Sequence, residues 1–262
     1  MTTSDSGARV PLHPSSAEDG NDRELVEFLL AEQSALQAAL SGTISESGSR
    51  MSSFFAAVSG SVVAIAFVAQ LSAFTETVRI FALVLLPTLL FLGLVTFERL
   101  LQMFMLETLC HRGMNRIRHF FLERNPSAST WLSLSTHDDL TGVSRSGGSH
   151  RLKPGADPKQ ILISAPGTVA VIDGIVLGVI AALVATALGA GLFGAAAAGI
   201  VAALVLVVLL LVHELRAFAS AQKLDPIRFH SPETGVAAPR WLQRIAGFDG
   251  IDPPGPDVTP ET

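Results

Sequence analysis

Asp173 has the strongest claim to chemistry in this chain, because it is the one charged side chain well inside an apolar segment long enough to cross a bilayer. A charge at the bilayer centre costs at least about 2.5 to 3.5 kcal/mol, so such residues point to function by default. Asp173 lies about two turns into its segment, roughly 10 Å at 1.5 Å per residue. There the helix amino terminus and nearby basic groups can help it. Arg99, His213 and Arg216 fall at a similar level on the second and fourth segments. One reading is a set of intramembrane pairs joining the segments; a second is a proton or cation site; a third is a side chain that snorkels to the surface.

A basic cluster, Arg112, Arg116, Arg118, His119 and Arg124, follows the second segment. It suits contact with anionic lipid headgroups or a nucleotide-like signal, and it equally suits the plainer task of setting topology and keeping a helix face wet. His137-Asp138-Asp139 has the make-up of the dyads in metal-dependent phosphohydrolases. The further His and Asp ligands of such a site are not evident, and the surroundings are Ser-rich loop. The sequence has no glycine-rich phosphate loop, no HExxH, no GxSxG and no CxxC. Cys110 is the single cysteine, cannot form an internal disulfide, and reads as a small buried hydrophobe. No catalytic residue, metal ligand or cofactor-binding residue is assigned, and neither enzyme activity nor a cofactor is expected.

The elements that position these residues follow from where the apolar residues lie. Of 262 residues, 49% are hydrophobic and 16% charged, and the mean hydropathy is +0.47. That is too apolar for an ordinary soluble domain of this size. Four continuous runs, 54–74, 80–97, 169–188 and 195–212, hold most of the apolar residues. Continuous runs rather than alternating ones make helices rather than barrel strands. The fold class expected is all-α: an integral membrane protein with four transmembrane helices arranged as two hairpins with cytoplasmic helical extensions.

In chain order, 1–20 reads as a disordered amino terminus without a signal peptide. Residues 21–53 form an amphipathic helix, capped at Asn21-Asp22 and carrying Leu25, Phe28, Leu29, Leu36 and Leu40, and then a polar joint. The first hairpin is 54–97. Its first span carries a small-residue row, Ala56, Gly60 and Ala64, that favours close helix packing. Ser59, Ser61 and Gln70 are that span's strongly polar groups, and a serine there most often bonds its own i−4 carbonyl. Pro87 should kink the second span.

Residues 98–125 form a basic stalk helix continuous with the second span. Its apolar stripe runs Leu106, Leu109, Cys110, Gly113, Met114, Ile117, Phe120 and Phe121, opposite Glu107, His111, Arg112, Asn115, Arg116 and His119. The helix stops at Asn125-Pro126. A flexible loop, 126–165, leads to the second hairpin, 166–212, whose packing row is Ala170, Gly174 and Gly178. The tail, 213–262, should include a short interfacial helix over 239–248 with Trp241, Leu242, Ile245 and Phe248 on one face.

Lys and Arg number three before the first span, one in the first turn, nine between the second and third spans, none in the second turn and five after the fourth. By the positive-inside rule both termini and the middle segment are cytoplasmic, in the inner (plasma) membrane of a bacterium. The net charge of −5 is spread over polar tails and calls for no nucleic acid.

The run Asn115-Arg116-Ile117-Arg118-His119-Phe120-Phe121-Leu122-Glu123, after a hairpin and an Ala/Leu-rich helix, resembles a set of uncharacterised bacterial membrane proteins with a hairpin plus basic cytoplasmic helix. The resemblance covers about residues 25 to 125 and implies no catalytic residues. In layout the chain is also similar to two-span effectors of bacterial defence systems, whose hairpins assemble into membrane-disrupting oligomers; here there are two hairpins and no fused sensor domain. The function expected is that of a non-enzymatic module whose cytoplasmic helices bind a protein partner or another copy, with membrane lipid around it. The alternative is an oligomeric channel or pore-forming effector with a path lined by Ser59, Gln70 or Asp173.

Overall fold

The computed structural model describes residues 15–71, 75–147 and 162–232, and the regular elements among them are all helices, with no strand. The interfacial helix expected over 239–248 lies outside the described residues, as do 1–14, 72–74 and 148–161. Four helices are long and apolar enough to cross a membrane.

Helix α1 runs without interruption over Ser15–Leu71, starting six residues before the expected Asn21 cap. The polar joint before the first span is therefore helix, although Gly42 and Gly48 each cost it about 1 kcal/mol relative to alanine. Two side-chain ion pairs lie beside these glycines. Glu46 pairs with Arg50 one turn on at 2.9 Å, and Arg99 reaches the same carboxylate from α2 at 3.3 Å. Helix α2, Thr75–Arg124, contains the second apolar run and the stalk in one piece, with Pro87 inside it. It ends where Asn125 and Pro126 were expected to stop it.

A 3-10 turn, Pro126–Trp131, and a short helix α3, Leu140–Ser146, occupy a stretch read from the sequence as loop. Helix α4 is Ala165–Ala187, capped by Ser164, whose hydroxyl accepts the Gly167 N–H at 3.0 Å. Gly189, at φ +90°, makes the reversal that leads into α5, Leu192–Leu224, a conformation closed to most side-chain-bearing residues. Helix α5 passes the end of its apolar run and carries on for three further turns.

Burial shows how the helices sit. A third of the most apolar window of α2 and of α4 is buried within the chain, against 6% for α1 and 11% for α5. Helices α2 and α4 are therefore central, with α1 laid on α2 and α5 on α4. The shared core is Phe54 from α1, Leu86, Leu89, Phe97, Leu100 and Leu101 from α2, and Val169, Ala170 and Val176 from α4. Helix α4 meets α5 through glycine: a Cβ on Gly178 would stand 2.8 Å from the Gly199 carbonyl oxygen, one on Gly199 would stand 2.7 Å from that of Gly178, and one on Gly174 would collide with Val207. The first small-residue row behaves differently. Ala56 and Gly60 are exposed, and nothing lies within 4 Å of where a Gly60 Cβ would be. Within one chain, α1 packs through Phe54 and its neighbours instead.

Replacing Gly178 by leucine forces backbones apart, and overpacking of this kind costs about 1 to 3 kcal/mol. Thermal unfolding in detergent should show a clear drop for Gly178→Leu and essentially none for Gly60→Ala. Equal drops would mean that the two rows pack alike.

Candidate functional site at the polar end

The stalk part of α2 places Arg112, Asn115, Arg116 and His119 on successive turns of one side. Sequence periodicity makes this the wet face, and the structure corrects that: Arg112 is 3% exposed and Asn115 fully buried. Two other stretches cover them, the loop and helix 135–147 and the segment 225–231 that follows α5. Each is tied down by hydrogen bonds rather than by apolar area. Arg116 donates through Nε to Asp138 Oδ2 at 2.7 Å, through Nη1 to Asp225 Oδ1 at 2.8 Å, and through Nη2 to the Pro226 carbonyl at 2.9 Å. Arg112 donates through Nη1 to the Asp225 carbonyl at 3.1 Å. Asn115 donates to the His137 carbonyl at 2.7 Å and accepts from Arg118 at 2.7 Å and from Ser146 at 2.8 Å.

The His137-Asp138-Asp139 run is consumed in the same network. Asp138, fully buried, accepts the Phe229 N–H at 2.8 Å and the Arg228 N–H at 3.1 Å in addition to Arg116. Asp139 Oδ1 caps α3 by accepting the Gly142 N–H at 2.8 Å and also takes the Ser231 hydroxyl at 2.7 Å, while Oδ2 takes the Ser231 N–H at 3.0 Å. Carboxylates so fully hydrogen-bonded to protein have little left to offer an ion. Among the described residues no group of three or more His, Cys, Asp or Glu side chains is placed to hold a metal. His119 stacks on Phe229 with ring centroids 3.7 Å apart and meets His137 edge-on at 6.2 Å. Cys110 is buried on the far side of the helix. Of the basic residues named as lipid contacts, Arg112 and Arg116 point into this network, Arg118 bonds Asn115, and Arg124 pairs with Asp22 of α1 at 3.0 Å.

The four residues that the sequence places at one level, Asp173, Arg99, His213 and Arg216, are dispersed. Asp173 is fully buried where α4 crosses α2, its carboxylate in the notch left by the missing side chain of Gly93, and neither oxygen has a hydrogen-bond partner. The structure does not bring Arg99, His213 or Arg216 to it. Arg99 serves Glu46, His213 bonds Glu98 at 3.1 Å, and Arg216 is exposed. Ser61 bonds its own i−4 carbonyl at 2.8 Å; Ser59 and Gln70 are exposed on α1 and do not share a lining with Asp173 within one chain. Glu214 is a second buried carboxylate, 2% exposed, with Oε1 accepting from Ser164 at 3.1 Å and Oε2 unpartnered. Sequence reasoning passed over it as part of an ordinary helix end. Its signal was available, since Glu214 is the first acidic residue after Asp173 and stands two residues beyond the apolar run 195–212.

Burial pushes the Asp138 carboxyl up, but the Phe229 N–H, the Arg116 guanidinium and the Arg228 N–H outweigh it and hold the group below the ordinary carboxylate range. A lowered folded-state value contributes stability that is complete above the unfolded-state value and is lost as pH falls through the lowered one. The wild-type unfolding midpoint should therefore drop as pH falls below about 5. Asp138→Asn should cost about 3 to 5 kcal/mol at neutral pH, the usual penalty for removing one side of a buried pair, and should flatten that acid dependence. A variant with the same acid profile as the wild type would remove Asp138 from this role.

Comparison with models of protein families, with curated proteins and with solved structures found no match for this chain.

Proposed function

We propose that the chain is a non-enzymatic multi-pass membrane protein that self-associates or binds a protein partner through the helices outside the membrane, in the orientation with both termini cytoplasmic. The observation that carries this reading is the outer half of α1. Phe28 is 66% exposed, and Leu30, Ile44 and Leu25 are also exposed. Phe28 precedes the first apolar run by 26 residues, about 39 Å of helix, so lipid does not cover it. Leu36, by contrast, packs onto Gly113 of the stalk. Helix α1 is thus held by α2, through Leu36 and the Glu46–Arg99 and Asp22–Arg124 pairs, and still leaves large apolar side chains, Phe28 foremost, open to water. In the first apolar run the Ala56 and Gly60 row is exposed as well, and a second helix can approach closely there.

The second reading is conduction of a proton or cation by an oligomer, and one observation favours it: a carboxyl group at Asp173 with no donor on either oxygen. A charge buried without a partner is costly, which is why such groups recur on ion paths.

Light-scattering mass measurement of the detergent-solubilised protein separates the outcomes. More than one copy is expected for wild type, with Phe28→Glu or Gly60→Leu shifting the population toward single copies at an unchanged unfolding midpoint. A wild type that stays single-copy at every concentration, and captures no partner through the same Phe28-sensitive face, would overturn the first reading. For the second, wild-type proteoliposomes should pass protons or monovalent cations well above empty liposomes, and Asp173→Asn should change that flux. Equal flux for wild type and empty liposomes would dismiss it.

A further inference from the structure

The exposed apolar face of α1 around Phe28 is also an acidic one. Between Gly20 and Ile44 the chain carries four acidic residues, Asp22, Glu24, Glu27 and Glu32, and one basic residue, Arg23. Glu24 and Glu32 stand one turn before and one turn after Phe28, with Glu27 next to it, and all three are exposed. Among the described residues the acid of this stretch that is ion-paired is Asp22, held by Arg124 of the stalk. An occupant of this face therefore needs large apolar side chains edged with positive charge.

Position narrows the choice. Helices α1 and α2 run antiparallel, with Glu46 facing Arg99, Leu36 facing Gly113 and Asp22 facing Arg124. Interpolation between the last two pairs puts Phe28 level with residues 118–121 of the stalk. The described chain leaves at that same level, because Phe229 stacks on His119 and the described residues end at 232. Phe28 and Phe229 thus stand against the same turn of the stalk, one to two helix widths apart, on the order of 10 to 20 Å.

Residues 240–248 of the same chain have the required make-up. Trp241, Leu242, Ile245 and Phe248 recur at helical spacing, and Arg240 and Arg244, the two Lys or Arg residues beyond 232, fall along the edge of that row. Eight residues lead from 232 to 240, a reach of at most about 26 to 29 Å. The α1 face lies well inside that radius. A bilayer surface lies at its limit: His119 is 22 residues beyond the apolar run that ends at 97, about 33 Å along the helix, and headgroups cover only about 5 to 8 Å of that length. Only a straight, fully extended tether would meet it.

We propose that residues 240–248 dock on the Phe28 face of their own chain, with Trp241 and Ile245 against Phe28 and Leu25 and with Arg240 and Arg244 against Glu24 and Glu27. This rests on the reading of that face as a contact surface and adds what governs it. The docked segment occupies the site that a second copy would use, so association requires its release.

The test is cross-linking of the full chain in detergent by a short bismaleimide through cysteines placed at Ala31, exposed one turn from Phe28, and at Ala246, with the buried Cys110 left in place. A linked product at the mass of a single chain is expected. Phe28→Glu should lower its yield by about tenfold or more, the factor that burial of one large apolar side chain corresponds to. Arg240→Glu with Arg244→Glu should also lower it, and adding Glu24→Arg with Glu27→Arg should restore it. In the light-scattering measurement Trp241→Glu should hold more copies together than wild type at equal concentration. Docking is overturned by absence of the single-chain product, by product formed only between chains, or by product that survives both Phe28→Glu and the arginine reversals, the mark of a segment held at the micelle surface. Competition is overturned by a Trp241→Glu variant no more associated than a self-associating wild type. The two readings fail separately, since the single-chain product reports the docked segment and the wild-type copy number reports association.

Discussion

Arg116 is where three separate stretches of chain are held to one another. Its guanidinium faces Asp138 in the loop before α3, Asp225 at the end of α5, and the carbonyl of Pro226 beyond it. A planar fork with five donors can make such a junction, whereas a lysine ammonium cannot meet three acceptors along fixed directions. Without Arg116, Asp138 would be a buried carboxylate with only backbone donors, and the segment 225–231 would lose the charge that draws it to the stalk. The 135–147 segment buries few apolar side chains, Val143 among them, so its position rests on polar bonds.

Two kinds of cohesion therefore divide the molecule at the level of Glu98 and Arg99. On the apolar side, contact is made by shape: Gly174, Gly178 and Gly199 let α4 and α5 touch backbone to backbone, and Leu86, Leu89 and Phe97 fill the space around α2. Helices as apolar as these associate through close fit rather than through exclusion of water wherever lipid surrounds them. On the polar side, water competes for every hydrogen bond, and the bonds hold because they are buried, charge-assisted and mutually supporting. Helix α2 belongs to both regimes. It is the one element in contact with α1, α3, α4 and α5, and its unbroken run from Thr75 to Arg124 gives the polar network a rigid link to the bundle.

The four apolar helices and the stop at Asn125-Pro126 could be read from periodicity and turn chemistry, because those signals are local. The polar network could not. Periodicity assigns Arg112 and Asn115 to a wet face by residue type, and only tertiary contact reveals that 135–147 and 225–231 come back over them. The network depends on residues up to 113 positions apart, at Arg112 and Asp225, and no local pattern records such a distance. Asp173 was recognisable as an exception by its burial in an apolar run, yet its basic partners were guessed from depth alone. Depth does not fix the face of a helix, and Arg99 and His213 turned out to answer Glu46 and Glu98, which lie closer to them.

Asp173 and Gly93 are then best considered as one unit. A Cβ at residue 93 would occupy the space of the Asp173 carboxylate, so the glycine is the condition for the carboxylate being there. Natural cores rarely leave such a group without a donor, and an alanine or leucine at 173 facing a slightly larger residue at 93 would pack the same crossing without that cost. Packing alone therefore does not account for this pair. The same test separates Asp138 from Asp173: both are fully buried acids, but one has every oxygen answered and explains the fold, and the other has none answered and does not. A costly group that the packing of α2 against α4 does not need is the feature that the proposed conduction reading, with Asp173 meeting a proton or cation, would explain.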